Sequence, residues 1–486
     1  MLAVAAFAIP VALGSLWPER AAHAQVVLGM SEAKEIEIGR QMHPKILQQY
    51  GRYEDEALQQ YVSEIGRRIG AKSDRPTLEY TFTVLDSEEV NAFALPGGFI
   101  YITRGIMAYL NSEAELIAVL GHEIGHVTAR HAERQQRGSV ASAVGSTLIG
   151  ILTGSPDLMQ VANLAGTALV SGYGRDMELE ADSLGAEYLH RLGHDPEAMI
   201  DVVRLLKNQE LLELQTAREE GRQARVYHGV FSTHPDNDKR LREVVEAAGA
   251  KAAGAVDEAS DAGRGTYLQR VAGMPIGASR EQGVVRGSRF YHADMGFTLA
   301  FPSGWSVQNQ QNKVLGFAPA KDAMLQVMVQ APAPGMGPKE LLAAGLKGTP
   351  TSNAEPLEVN GLQGYTAIAR NVPLPWGNNG PARYAVVYFN GLGYVFMGAT
   401  RFGSALSATD AMILSSIKTF RRLNDREQTL AEPRKLRLMQ ATDTTRMAEL
   451  ARESPLPNHA LERLRLLNDL YPNKEPTPGT TIKVVE

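Results

Sequence analysis

The sequence predicts an α+β protein of several domains: a mainly helical N-terminal half with a small sheet, a β-rich middle unit, and a small strand–helix–helix–strand tail. Three observations carry this. Residues 31–70 and 175–248 have helical spacing of apolar positions with many charges. Residues 288–401 hold β-like runs (FTLAF, MLQVMVQA, YTAIAR, YAVVYF, YVFMGATR), and Asn360-Gly361 and Asn390-Gly391, strong hairpin signals, sit between such runs. The length of 486 residues suits about three domains at ~100–200 residues each.

Composition narrows the function classes. The chain is 44% hydrophobic, enough for a packed core, which excludes wholesale disorder. A net charge of −5 argues against a nucleic-acid partner, which would call for a basic field. The absence of Cys removes disulfides, thiolate metal sites and Cys nucleophiles together, so any metal must sit on His, Asp or Glu.

Taken in order, Leu2 to Leu16 form an apolar stretch, followed by a short polar piece and Ala22-His23-Ala24. That is the length of a signal-peptide core with an Ala-x-Ala cleavage site, although no Lys or Arg precedes it. Residues 1–24 are read as a signal peptide and the mature chain as starting at Gln25. The alternative is a short anchor in the inner membrane. Residues 79–85 alternate like a strand, and 90–103 read as two strands broken by a turn at Pro96-Gly97-Gly98. Ser112 with Glu115 fits a capping box opening a helix to about Gln135. Residues 138–174 are rich in Gly, Ala and Ser and carry few charges, read as tightly packed helices. Residues 251–285 read as a linker, with the small-residue stretch 247–265 read as linker or weak helix. The β-rich unit spans 286–425, with a helix near 405–419, and its Trp305 and Trp376 are expected in core or turn. The tail spans 434–486.

One constellation carries chemistry. Gly121-His122-Glu123-Ile124-Gly125-His126 places two histidines four residues apart, within ~40° of each other on a helix. Two imidazoles so stacked can bind one Zn²⁺, and Glu123 can take a proton from water activated by the metal. A Gly-kinked third-ligand motif would need Gly at 129 and His at 132; both are Ala. His131 comes one residue early and points away from the metal face of a straight helix, so it reads as a surface histidine or as one that supports a metal ligand from behind. Glu178 and Asp182 are four apart and share a face. Glu178 can complete a His₂Glu set, and Asp182 can hydrogen-bond the far nitrogen of a metal histidine. The alternative for this pair is an acidic, solvated helix face.

The pattern HEIGH, then RDMELEAD, then STHPDNDKR resembles the gluzincin metallopeptidases of the CAAX prenyl protease/HtpX type, over roughly residues 30–245. No convincing membrane span follows residue 24, which points to the soluble, exported branch that includes the periplasmic β-barrel assembly-enhancing proteases. The resemblance implies a mainly helical gluzincin domain over 25–250. It implies one Zn²⁺ per chain on His122, His126 and Glu178, with Glu123 as general base and acid and Asp182 supporting a ligand. It also implies active-site roles for His234, with the adjoining Pro235, and for Arg240. His234 is read either as a transition-state donor or as a fourth ligand that closes the zinc. The strand Asn91, Ala92, Phe93 and Ala94 is implied to align substrate backbone by edge pairing. The helical repeats of the assembly-enhancing relatives are not seen here; the region after 266 is β-rich. The tail resembles a LysM module, with Leu467-Asn468 and Pro478-Gly479 as its supports.

The expected function is therefore zinc-dependent endoproteolysis in the periplasm, acting in quality control on unfolded or misassembled envelope proteins. Peptidoglycan contact through the tail and peripheral membrane association are further expectations. The alternative is an envelope-binding or chaperone-like protein whose zinc site His234 keeps closed.

Overall fold

The computed structural model describes residues 30–139, 173–220, 262–310 and 313–486. Within them helices and several sheets alternate, the multidomain α+β arrangement read from the sequence. Residues 1–29, 140–172 and 221–261 lie outside, and with them the expected signal peptide, most of the Gly/Ala/Ser-rich stretch, and His234, Pro235 and Arg240.

Helices α1 (Glu32–Tyr50) and α2 (Glu56–Lys72) precede a three-stranded sheet of β1 (Thr81–Leu85), β2 (Ala92–Leu95) and β3 (Phe99–Thr103). Its order is β1-β3-β2, with β1 parallel and β2 antiparallel to β3, so β2 is an edge. The turn at Pro96-Gly97-Gly98 forms as expected. Gly97 has φ 82°, and a Cβ there would lie 2.5 Å from Ile36 Cα, so only glycine fits.

After α3 (Arg104–Tyr109), helix α4 (Glu113–Thr128) runs through the middle of this half and is buried from Leu116 to Val127. Ser112 Oγ accepts the Glu115 N–H at 3.1 Å, as the capping signal predicts, while the Glu115 carboxylate reaches back one residue further, to the Asn111 N–H at 2.8 Å. The helix does not run to Gln135. It stops at Thr128, and α5 (His131–Ser139) begins after Arg130, whose φ of 55° is left-handed. Such a conformation costs a non-glycine residue about 1–2 kcal/mol. It is held by ion pairs from Arg130 Nε to Glu35 at 2.8 Å and to Glu133 at 3.1 Å. Next come α6 (Arg175–Arg191) and α7 (Glu197–Glu219), both packed on α4.

Within the stretch expected as a linker, the described residues from 262 form defined elements. Helix α8 (Ala262–Val271) buries Tyr267, Leu268 and Val271 in the same core as α4, and the Tyr267 hydroxyl donates to Met107 O at 2.6 Å. β4 (Pro275–Ile276) follows.

The β-rich unit has two antiparallel sheets. β5 (Val284–Arg286), β6 (Arg289–His292) and β7 (Phe297–Ala300) lie in one, joined later by β15 (Arg421–Arg422). The other has seven strands: β8 (Ser306–Gln310), β9 (Lys313–Phe317), β10 (Ala323–Gln330), β11 (Thr351–Val359), β12 (Leu362–Pro373), β13 (Asn379–Phe389) and β14 (Leu392–Thr400). Its order is β11-β12-β13-β14-β10-β9-β8. Helix α9 (Pro338–Leu346) covers one core and α10 (Leu406–Ile417) the other. Both Asn-Gly pairs turn hairpins with positive φ at each residue. Trp305 is core; Trp376 donates from a turn to Lys321 O at 3.0 Å.

After α11 (Asp425–Ala431), the tail folds as β16 (Arg434–Gln440), α12 (Met447–Glu453), α13 (Ala460–Leu467) and β17 (Thr481–Val485). β16 pairs antiparallel with β17 and, on its other side, with β4. Leu436, Met447, Leu464, Leu467 and Val485 belong to the same buried cluster as α4. Lys483, fully buried, donates from Nζ to Ala108 O and Leu110 O, both at 2.7 Å. The tail is thus built into the N-terminal half. Among the described residues no helix is long and apolar enough to cross a membrane.

Candidate metal centre

The site forms where α4 crosses α6. On α6 the strip Glu178, Ala181, Asp182, Gly185 follows i, i+3, i+4, i+7 spacing, one face of a helix. On α4 the strip Gly121, Gly125 meets it. A Cβ on Gly121 would lie 3.3 Å from Gly185 Cα, and one on Gly125 would lie 3.0 Å from Ala181 O. Small residues on both sides let the two backbones approach. That approach brings a carboxylate 52 or more positions away in sequence onto the two histidines.

His122, His126 and Glu178 come together, all buried, with their candidate ligand atoms within 4.8 Å of one another. The two Nε2 atoms face each other at 2.9 Å. Glu178 Oε2 lies 3.6 Å from His122 Nε2, and Oε1 lies 3.5 Å from His126 Nε2. Zinc bonds of ~2.0–2.1 Å at tetrahedral angles require donors about 3.3 Å apart. The three separations of 2.9, 3.5 and 3.6 Å bracket that value, and the donor set of two imidazoles and one carboxylate suits the ion. His122 Nδ1 lies 2.8 Å from Asp182 Oδ1. A carboxylate there draws the ring proton to Nδ1 and leaves Nε2 with its lone pair aimed at the centre. Glu123, 2% exposed, sits on the same helix between the two histidines.

Of the two places read for His131, the structure shows the second: it is not on the surface but lies behind a metal histidine. It is 0% exposed, and its Nδ1 lies 2.8 Å from His126 Nδ1. The left-handed Arg130 is the reason: it breaks the helix and swings residue 131 back under the second histidine. His131 Nε2 lies 3.2 Å from Glu180 Oε2, the oxygen to which Arg134 donates at 2.6 Å. Burial pushes the His131 imidazole below its ordinary pKa, against a smaller upward pull from Glu180. The ring of Tyr173 stacks on His126, centroids 4.1 Å apart and 19° from parallel. Burial, with the charges of Glu123 and Glu178, raises its phenol. Neither Tyr173 nor Glu180 was legible beforehand; no local motif marks them.

β2 lies against α4. Thr103 N–H donates to Asn91 O at 3.0 Å, which makes 91 and 103 a hydrogen-bonded pair. Antiparallel pairs alternate, so Phe93 and Leu95 also bond to β3, while the main-chain groups of Ala92 and Ala94 point away from it, to the side where no further strand pairs among the described residues. A cleft runs from Ala94, Leu95 and Pro96 to His126 and Tyr173.

Residues 56–248 match the family model described as peptidase family M48. The chain carries an M48 peptidase domain. Over 164 residues it is 33% identical to the beta-barrel assembly-enhancing protease of Yersinia pestis, covering 32% of this chain and 34% of that one. The corresponding protease of Escherichia coli K12 is 31% identical over 199 residues, covering 39% and 38%. A mitochondrial metalloendopeptidase of Schizosaccharomyces pombe is 32% identical over 188 residues, covering 38% and 52%. The chain thus spans about a third of the length of the bacterial relatives. The M48 match includes all of α4 and α6 and ends before α8. The assembly of α8, β4 and the tail onto the M48 core is therefore seen in the structure and not in the family match.

Proposed function

We propose that this protein is a zinc metalloendopeptidase that hydrolyses peptide bonds in envelope proteins. The observation that carries this is the buried convergence of His122, His126 and Glu178 beside Glu123. The M48 match and the metalloendopeptidase and protease names of the relatives support it. In this reading the two Nε2 atoms and a Glu178 oxygen hold one zinc ion. Bound zinc supplies Lewis acidity that polarises the scissile carbonyl and makes water acidic. Glu123 takes the proton from the attacking water and returns it to the leaving amine. Asp182 fixes the His122 tautomer. The edge of β2 aligns the substrate as an added strand, through the main chain of Ala92 and Ala94, with Asn91 and Phe93 bonded into the sheet behind. His234 and Arg240 complete the site as oxyanion donors or, for His234, as a gate.

An extended-strand mode of binding favours unfolded or misassembled proteins over folded ones, because a folded chain has no free strand to offer. The names of the bacterial relatives, the apolar N-terminal stretch ending in Ala22-His23-Ala24, and the absence among described residues of a membrane-crossing helix support a periplasmic place for it. The tail's Met447, Leu464 and Leu467 are committed to the shared core, which gives the tail a structural role.

Glu123→Gln tests the reading. The variant should keep one zinc per chain by elemental analysis while losing casein cleavage by at least ~100-fold. Cleavage at the parental rate would remove Glu123 from the mechanism. A parent that binds zinc but cleaves no unfolded protein would favour the binding-protein reading.

A further inference from the structure

From the second metal histidine a chain of four side chains, His126 included, runs to the surface. His126 Nδ1 faces His131 Nδ1 at 2.8 Å, His131 Nε2 faces Glu180 Oε2 at 3.2 Å, and Arg134 Nη1 donates to that same oxygen at 2.6 Å. The two imidazoles meet nearly edge to face, centroids 4.9 Å apart and 71° from parallel. His126 and His131 are 2% and 0% exposed, whereas the side chains of Glu180 and Arg134 are 42% and 45% exposed. The chain therefore runs from a charged, half-exposed pair to two buried imidazoles.

Donor and acceptor roles follow from the outer end inward. A carboxylate paired with arginine only accepts, so the His131 Nε2 that faces it carries the proton. A neutral His131 then has a bare Nδ1, which accepts from the His126 Nδ1–H. That leaves His126 Nε2 bare and aimed at His122 Nε2 and Glu178. Asp182 does the same for His122 with a single carboxylate. We infer that His131, oriented by Glu180 and Arg134, is a positioning residue that fixes the tautomer and ring orientation of His126 for metal binding. The first metal histidine is set by an anion and the second by a neutral imidazole. The ligand pair is thus asymmetric, with His126 the less electron-rich donor. The left-handed Arg130 is the structural device that makes this arrangement, because on an unbroken helix residue 131 would sit about 140° around from residue 126.

This inference rests on the zinc reading of the site, and the test separates the two. Zinc affinity is measured by competition with a chromophoric chelator, and the ligand field by the visible d–d bands of the Co²⁺-substituted protein. The parent should hold one ion tightly; if it does not, the zinc reading itself fails. With a tight parent, His131→Leu should weaken zinc by about 10- to 100-fold and shift the Co²⁺ bands. His131→Asn, which keeps an acceptor atom at the position of Nδ1, should recover most of the affinity and the parental spectrum. Glu180→Ala, at a half-exposed site that folding tolerates, should weaken zinc several-fold. Parental affinity and spectrum in His131→Leu and Glu180→Ala would overturn the inference. Equal loss in His131→Leu and His131→Asn would also overturn it, because ring packing and not the acceptor would then be what matters. If His131→Leu does not fold, the His131→Asn and Glu180→Ala results decide by the same criteria.

Discussion

Gly185→Val probes whether the site depends on how closely α4 and α6 approach. A Cβ at 185 would lie 2.5 Å from Met199 Cε, 3.0 Å from His122 N and 3.3 Å from Gly121 C. The Met199 methyl is the end of a flexible side chain and can move away. The α4 backbone cannot, so α6 must retreat by about 0.5 Å to reach ordinary contact at ~3.5 Å. The closest Glu178–imidazole separation is 3.5 Å. A retreat of that size takes it to about 4.0 Å, and two ~2.05 Å zinc bonds span 4.0 Å only at an angle of about 155°, far from tetrahedral. Overpacking of this kind costs about 1–3 kcal/mol in stability. The expected outcome is a loss of at least about tenfold in zinc affinity, roughly 1.4 kcal/mol, together with a lower Tm. Chelator competition and thermal melts of the apo protein measure the two effects separately. A Tm loss with parental zinc affinity would refute the reasoning, because the three ligands would then hold their geometry without the crossing.

Two further predictions concern the core around the site. Burial pushes the Lys483 ammonium down and Glu115 up, yet Nζ donates to Ala108 O and Leu110 O, so Lys483→Met strands two buried carbonyls. It should cost about 2–4 kcal/mol by urea unfolding, and a change under about 0.5 kcal/mol would contradict the tail's role in the core. Burial, with Glu88, lifts the Glu89 carboxyl from 4.5 to about 7. The folded state therefore binds this proton more tightly than the unfolded one. Stability falls as pH rises from about 4.5 through 7 and is flat above, a loss of about 3 kcal/mol at most. Glu89→Gln should accordingly raise Tm at pH 8 and leave it nearly unchanged at pH 4.5; an equal increment at both would exclude titration as the cause.

What could be read from residues alone was what is encoded locally. The i, i+4 histidines, the Ser112 cap, the Pro96-Gly97-Gly98 turn and the two Asn-Gly hairpins each depend on a few neighbouring positions. Glu178 and Asp182 were recognisable because they repeat the same four-residue spacing, although their meeting with α4 depends on glycines on both helices. His131 was left between the surface and a place behind a ligand because the break at Arg130 leaves no local mark: the residue is neither Gly nor Asn, and Glu35, one of the partners that hold it, is 95 positions away. Helix α8 was read as linker or weak helix because it opens on Ala262, Gly263 and Gly265 after a run of small residues. The three residues that bury it, Tyr267, Leu268 and Val271, gain their partners from distant elements that include α3, α4 and the tail. The tail's order of elements was visible, but not Lys483, a charge whose place in a core only its two carbonyl acceptors explain.

The central claim is that one ion is held by three side chains from two helices. Anomalous diffraction at the zinc edge, on crystals of the full chain, tests it directly. The account predicts a single peak within ~2.0–2.1 Å of His122 Nε2, His126 Nε2 and an oxygen of Glu178. A peak elsewhere, or one whose neighbours omit Glu178, would contradict it.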